Sequence, residues 1–255
     1  MIDDLTTNRH TASLDKASGN VRIFSPAGTP AQHFAQFGWT GQGVEVPGPA
    51  TVWTAPAGAK LTPQTPVTLS WTNPTGQTFG LTYAIDADYM ITATQTVANR
   101  GAAPVTVRAV AQVNRTSKTA SVDSYNVHSG PIGAFDGSVQ FDPDYDDLAE
   151  AQTASGEGKT DWIGFTDIYW MSILIPDKGQ VTSDFRSLGK DVFLANLFYA
   201  DTAVAPGQQS SRATRLFAGA KEVAVLDRYE ASGITNFSLA IDWGWFRWFE
   251  KPIFW

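Results

Sequence analysis

Along this chain, strand-length apolar runs alternate with breaks made of Asn, Asp, Gly and Pro. The order is clearest between Pro66 and Arg115. There "VTLSW" (67–71), "FGLTYAI" (79–85), "YMITATQTVAN" (89–99) and "VTVRAVAQV" (105–113) are separated by "TNPTGQ", "DAD" and "RGAAP". The runs are rich in β-branched and aromatic residues, which marks them as strands between turns. In the last run Val105, Val107, Ala109, Ala111 and Val113 share one face, and Thr106, Arg108 and Gln112 the other. Such period-two alternation predicts a sheet with one buried and one wetter side. Breaks this short suit antiparallel hairpins, because parallel strands need long crossovers.

The pattern continues through "DWIGFTDIYWMSILIP" (161–176), "DVFLANLFYA" (191–200) and "SSRATRLFAGA" (210–220), joined by loops such as "PDKGQ" and "APGQQ". Strands at this density, with few helices between them, predict an all-β chain folded as a large antiparallel sandwich. No repeat or low-complexity linker divides it, so residues 1–255 are expected to form a single domain. Helix is predicted only near the end. In "AKEVAVLDRYEASG" Val225, Leu226 and Tyr229 fall on one arc and Gly233 supplies a stop, giving a helix over 220–232.

The closing stretch, "IDWGWFRWFEKPIFW" (241–255), carries four of the nine tryptophans. At 100° per residue, Ile241, Trp245, Phe246, Trp248, Phe249 and Pro252 fill one arc, facing away from Gly244, Arg247, Glu250 and Lys251. Trp243 falls on the polar side. Asp242 is the expected N-cap, its carboxylate accepting from the first free N–H groups, and Pro252 stops the helix after Lys251. A helix over about 242–251 is roughly 14 Å long, far too short to span a bilayer. It could lie along one, since indole rings favour the headgroup boundary. That makes Trp243, Trp245, Phe246, Trp248 and Phe249 the candidate membrane-interface residues. The same aromatic face could instead dock on the domain's own sheet or on a partner protein.

Composition narrows the partners. With 43% hydrophobic and 17% charged residues the chain is globular rather than disordered. A net charge of −7 repels phosphate backbones, so nucleic acid is not an expected partner. No block of Lys and Arg would draw the body of the domain onto anionic lipid. The absence of cysteine removes disulfides, thiolate metal sites and a Cys nucleophile. The first twenty residues are polar and lack the apolar core of a signal peptide. No run reaches the ~18 apolar residues of a spanning helix. Because the strand-like "IDDL" follows Met1 at once, the chain is expected to start inside a longer protein.

Candidate chemistry is sparse. Between Asp136 and Asp161 acidic residues crowd around Lys159, and Asp142, Asp144 and Asp146 mimic the first ligands of a calcium loop. The loop then fails, with Asp147 where Gly must turn and Thr153 where a bidentate Glu belongs; a solvated acidic loop is expected. His10, His33 and His128 are not at metal-ligand spacing, and His33 reads as a strand residue rather than a base. There is no G-x-S-x-G elbow, and "SLGKD" (187–191) lacks the parts of a phosphate cradle. The sequons at Asn114 and Asn236 are short enough to be chance matches. No catalytic, cofactor or metal site is assigned, and the chain is not expected to be an enzyme.

A resemblance joins these pieces. "IDDLTT" (2–7), "SPAGTPAQHFAQFGW" (25–39), "PVTLSWTNPTGQTF" (66–79), "GPIGAFDG" (130–137), "WIGFTDIYW" (162–170), "RLFAGAKEV" (215–223) and "DWGWF" (242–246) followed by "KPIFW" resemble, in order, the large first periplasmic domain of the YidC membrane insertases. The resemblance implies a β-supersandwich similar to galactose mutarotases, placed on the periplasmic side of the bacterial inner membrane between two transmembrane helices. It implies a non-catalytic part in inserting and folding membrane-protein clients, alone or with the Sec translocon, and contact with SecDF. It also implies that the closing helix lies on the membrane surface. The rival reading keeps the fold and makes it a module for a carbohydrate or another elongated ligand, stacked on Trp39, Trp53 or Trp71. A mutarotase-like epimerase is the enzyme rival, and no aldose turnover is expected.

Overall fold

The computed structural model describes residues 1–13, 15–119 and 127–241. The first half holds β1 (Leu5–Thr11), β2 (Asn20–Phe24), β3 (His33–Gln42), β4 (Val67–Thr72), β5 (Gln77–Ile85), β6 (Met90–Asn99) and β7 (Val105–Thr116). The second holds β8 (Gly130–Phe135), β9 (Ser138–Gln140), α1 (Tyr145–Ala151), β10 (Thr153–Ala154), β11 (Thr160–Thr166) and β12 (Trp170–Pro176). After these come β13 (Val181–Ser187), β14 (Val192–Tyr199), β15 (Thr202–Val204), β16 (Gln209–Ala220), α2 (Val223–Ala231) and a 3-10 turn at Phe237–Ala240.

Two antiparallel sheets face each other. The larger has eight strands in the order β4-β5-β6-β16-β12-β11-β8-β9. The smaller has six, with β14 and β15 sharing one edge of β7 and β3 lying on its other edge. β1 and β2 form a separate hairpin. The expected large all-β sandwich with a helical end is therefore what the chain forms.

Side-chain alternation explains the layers. Phe79, Leu81 and Tyr83 of β5 meet Phe37 and Trp39 of β3 and Ala109, Ala111 and Val113 of β7 between the sheets, all of them buried. The intervening Thr78, Gly80 and Thr82 are only half-buried, on the outer face. β12 breaks this pattern because both its faces are covered. Leu174 points into the inter-sheet core, while Met171, Ile173 and Ile175 belong to a second core under α2. Strands buried on both faces read as continuous apolar runs, which is why "WMSILI" shows no alternation.

The run 161–176 is two strands, split where the Asp167 N–H donates to the Trp170 carbonyl at 2.7 Å. The acidic stretch expected as a loop contains α1, a correction with a clear physical cause. Asp144 caps that helix by accepting from the Asp147 N–H at 2.8 Å, Asp146 and Asp147 complement the positive end of the helix dipole in its first turn, and Leu148 buries its inner side. α2 begins at Val223 rather than at Ala220. β16 keeps pairing with β12 as far as Ala220, the Lys221 N–H donates to the Tyr169 carbonyl at 2.8 Å, and Glu222 is extended.

Candidate functional site

The aromatic segment singled out above, from its cap Asp242 through Trp243, Trp245, Phe246, Trp248 and Phe249, lies outside the described residues. What is described is the seat from which it leaves. α2 turns Val225 and Leu226 onto the outer face of the large sheet, and Ile234, Phe237 and Ala240 follow, all buried. The Phe237 ring meets Phe217 and Trp162 edge-on, with centroids 5.4 and 5.8 Å apart. Polar bonds fix the same segment. The Trp162 indole N–H donates to the Thr235 carbonyl at 2.9 Å, Asn236 donates to the Gly137 carbonyl at 2.6 Å, and the Ser238 N–H donates to Glu230 at 2.8 Å. Burying one such ring stabilises by about 1.5–3 kcal/mol, so the chain reaches Ile241 on a firm base.

A polar clamp ties both ends of the described chain to one turn. Asp88, between β5 and β6, accepts from Arg9 of β1 at 2.7 Å and from Arg228 of α2 at 2.6 Å. Those bonds, Arg228 first and then Arg9, hold its carboxyl below the usual range. Next to it, the Tyr89 hydroxyl donates to Glu222 at 2.5 Å and lies 2.9 Å from His10 Nε2. Burial and the Glu222 carboxylate push the Tyr89 phenol upward. The Tyr229 hydroxyl donates to Asp86 at 2.6 Å, and its phenol is raised by burial and by that carboxylate. Sequence reasoning missed the clamp. Its members are ordinary surface residues far apart in the chain, joined only by the fold.

Between the sheets lies a second polar centre. His33 opens β3 and is buried, its Nε2 2.8 Å from the Ser172 hydroxyl and its ring edge-on to Phe24. Burial, reinforced by the Arg115 charge, lowers its pKa well below the ordinary histidine value, so it is neutral. Arg115 is 2% exposed and donates to Asp167 at 2.6 Å, and Asp167 also accepts from Ser129 at 2.9 Å. Tyr145 beside them has its phenol pushed up to about 12 by burial. β3, β7, β12 and the turn at Asp167 are pinned here, and His33, Arg115, Asp167 and Trp170 line a small cleft of about 70 Å³. His128 bonds the Pro131 carbonyl at 2.7 Å. Among the described residues no cluster of three or more His, Asp or Glu side chains is placed to hold a metal.

The three tryptophans of the ligand-stacking reading differ in placement. Trp39 is buried against Phe79, with ring centroids 5.2 Å apart, and Trp71 packs on the same phenyl at 5.8 Å. Trp53 is half-buried and stacks on Trp39 at 6.4 Å, where it walls a groove of about 400 Å³ beside β3.

Comparison with known proteins follows the same lines. Residues 1–255 match the YidC periplasmic domain family over their whole length. The chain belongs to that family. It is 43% identical to the membrane protein insertase YidC of Zymomonas mobilis, with 99% of this chain and 44% of that protein covered. Against the YidC of a Ruegeria species the identity is 41%, with the same coverage, and against that of Rhizobium johnstonii it is 38%, covering 99% and 43%. The chain thus spans less than half the length of these relatives, which are named as insertases. Among solved structures it is similar to a galactose mutarotase-related enzyme from Lactobacillus acidophilus, with TM-score 0.48 and 9% identity over 66% of this chain and 71% of that one. A galactose mutarotase-like protein from Lactobacillus casei gives TM-score 0.45 and 10% identity, covering 65% and 72%. No described helix is long and apolar enough to cross a membrane.

Proposed function

We propose that this YidC periplasmic domain works without chemistry of its own, as a rigid base that holds an amphipathic helix over 242–251 against the outer surface of the inner membrane. Trp243, Trp245, Phe246, Trp248 and Phe249 are the interface residues in this reading, and Asp242 caps the helix. The observation that carries it is the seat of Ile234, Phe237 and Ala240 on the large sheet. A segment fixed that firmly transmits the orientation of the sandwich to whatever follows Ile241. Interfacial Trp and Phe then supply the membrane contact. The domain serves a full-length insertase that folds membrane-protein clients, and the family resemblance gives SecDF and the Sec translocon as its docking partners.

Liposome flotation tests the reading. The 255-residue chain should float with vesicles of phosphatidylethanolamine and phosphatidylglycerol. The triple variant Trp245→Ala, Trp248→Ala, Phe249→Ala should stay at the bottom with its melting temperature unchanged. Equal flotation of the two proteins, or none for the unsubstituted chain, would sink the reading.

A further inference from the structure

β3 has one partner along its full length and a half-used edge on the other side. Its even-numbered residues bond to β7 in the ladder, where Phe34 lies opposite Asn114 and Gln42 opposite Thr106. The odd-numbered residues send their backbone groups outward. His33 exchanges both bonds with Ser25, at 3.0 and 2.8 Å, and Ala35 exchanges both with Ile2, at 3.0 and 2.8 Å. The same alternation points the N–H and C=O of Phe37 and Trp39 out of the sheet. No described residue pairs with them. A row of open ladder positions is a template for another strand.

The register at Ile2 determines what would pair there. Ile2 lies antiparallel to Ala35, so Met1 falls opposite Gln36. The residue before Met1 would fall opposite Phe37, the second before it opposite Gly38, and the third opposite Trp39. Met1 itself lines the mouth of the groove whose walls include Gln36, Trp39, Pro49, Trp53 and Gln112. Met1 is half exposed, and partial burial of its α-amino group lowers the pKa of the amine. A peptide N–H would sit there without the cost of a buried charge. The relatives are more than twice as long as this chain, so chain beyond these residues exists in them.

We propose that, where this domain stands in a longer chain, the residues entering it ahead of Met1 run as an edge strand antiparallel to β3, pairing with Phe37 and Trp39 and filling the Trp53 groove. The segment is tethered to its site, so pairing takes place at a high effective concentration and an untethered strand competes poorly. The small sheet thereby closes its open edge, and the N-terminal connection is held to the sandwich along a defined line.

These 255 residues contain no cysteine, and any thiol elsewhere in the longer protein is first replaced by serine so that a disulfide test reads one pair alone. A Cβ at Gly38 meets nothing within 4 Å and the backbone there is unstrained, so Gly38→Cys is tolerated. Paired with a cysteine at the second residue before Met1, it should form an intramolecular disulfide at least about tenfold faster than with a cysteine at the third, since a one-residue slip turns the side chain to the other face. Equal rates for the two pairs would overturn the proposal. So would dimers linked through the Gly38→Cys position, which would make a second copy the occupant. Hydrogen exchange on the unsubstituted protein gives an independent check. The amides of Phe37 and Trp39 should exchange at least about a hundredfold more slowly in the full-length protein than in the chain starting at Met1. Fast exchange in both would overturn the proposal, as would slowing only on addition of a glycan or a free peptide.

Discussion

The indole N–H of Trp162, on β11, donates to the carbonyl of Thr235, 73 residues later, at 2.9 Å. This bond joins the fully buried outer face of the large sheet to the segment that carries the chain toward its aromatic end. Trp162→Phe keeps most of the ring packing and leaves the Thr235 carbonyl without its donor. The expected loss is about 1–3 kcal/mol by urea denaturation. Ending the chain at Ser232 removes Ile234, Phe237 and Ala240 together and should lower the melting temperature by several degrees. An unchanged melting temperature would show that the segment is not seated on the sheet.

Much of this fold can be read from the residues, and the unreadable parts share a cause. β4 to β7 announce themselves because one face is wet, so the alternation survives in the sequence. β13, "VTSDFRS", has only Phe185 buried, too little to mark it as a strand. α1 hides in an acidic stretch because three of its carboxylates serve as cap and dipole partners, functions that composition cannot distinguish from a loop. The clamp of Arg9, Asp88 and Arg228 and the buried Arg115–Asp167 pair are long-range by construction. The aromatic end was legible as an amphipathic pattern, but the surface it meets is not encoded within the segment itself.

The Arg115–Asp167 pair is buried, so breaking it differs from replacing it. Asp167→Asn or Arg115→Met alone leaves a buried charge uncompensated and should cost about 3–5 kcal/mol. The double variant Arg115→Met, Asp167→Leu should lose clearly less than the sum of the singles. Urea denaturation of the four proteins gives the coupling, and simple additivity would contradict the description of a mutually dependent pair.

His33 links the inter-sheet core to pH. Its pKa is depressed in the folded state by burial, while in the unfolded chain it titrates near the ordinary histidine value of about 6.5. Below that value the unfolded state binds more protons than the folded one, so stability falls as pH drops, by up to about 1.4 kcal/mol per unit from this single group. Above pH 7 the contribution is constant. Stability measured between pH 8 and 5 should therefore decline less steeply in His33→Gln than in the unsubstituted protein. Parallel profiles would mean that His33 takes up its proton without unfolding.

Gly164 shows how closely β11 and β12 approach. A Cβ built there collides with the backbone carbonyl of Ser172, which cannot swing away as a side chain would. Gly164→Ala should destabilise by about 1–3 kcal/mol or more, in the range of overpacked cores. Gly38→Ala, with open space around its Cβ, should be close to neutral. Similar melting temperatures for the two variants would contradict the packing described.

If the segment beyond Ile241 rests in the membrane interface, a spin label placed on it reads that contact directly. A nitroxide attached at Phe249→Cys is the only label in a chain that has no other thiol. On addition of liposomes its collision rate with oxygen should rise and that with a polar nickel chelate should fall, while a label at the exposed Lys60→Cys stays unchanged. If Phe249→Cys keeps the same oxygen and nickel accessibility with and without lipid, the aromatic face does not rest in the membrane.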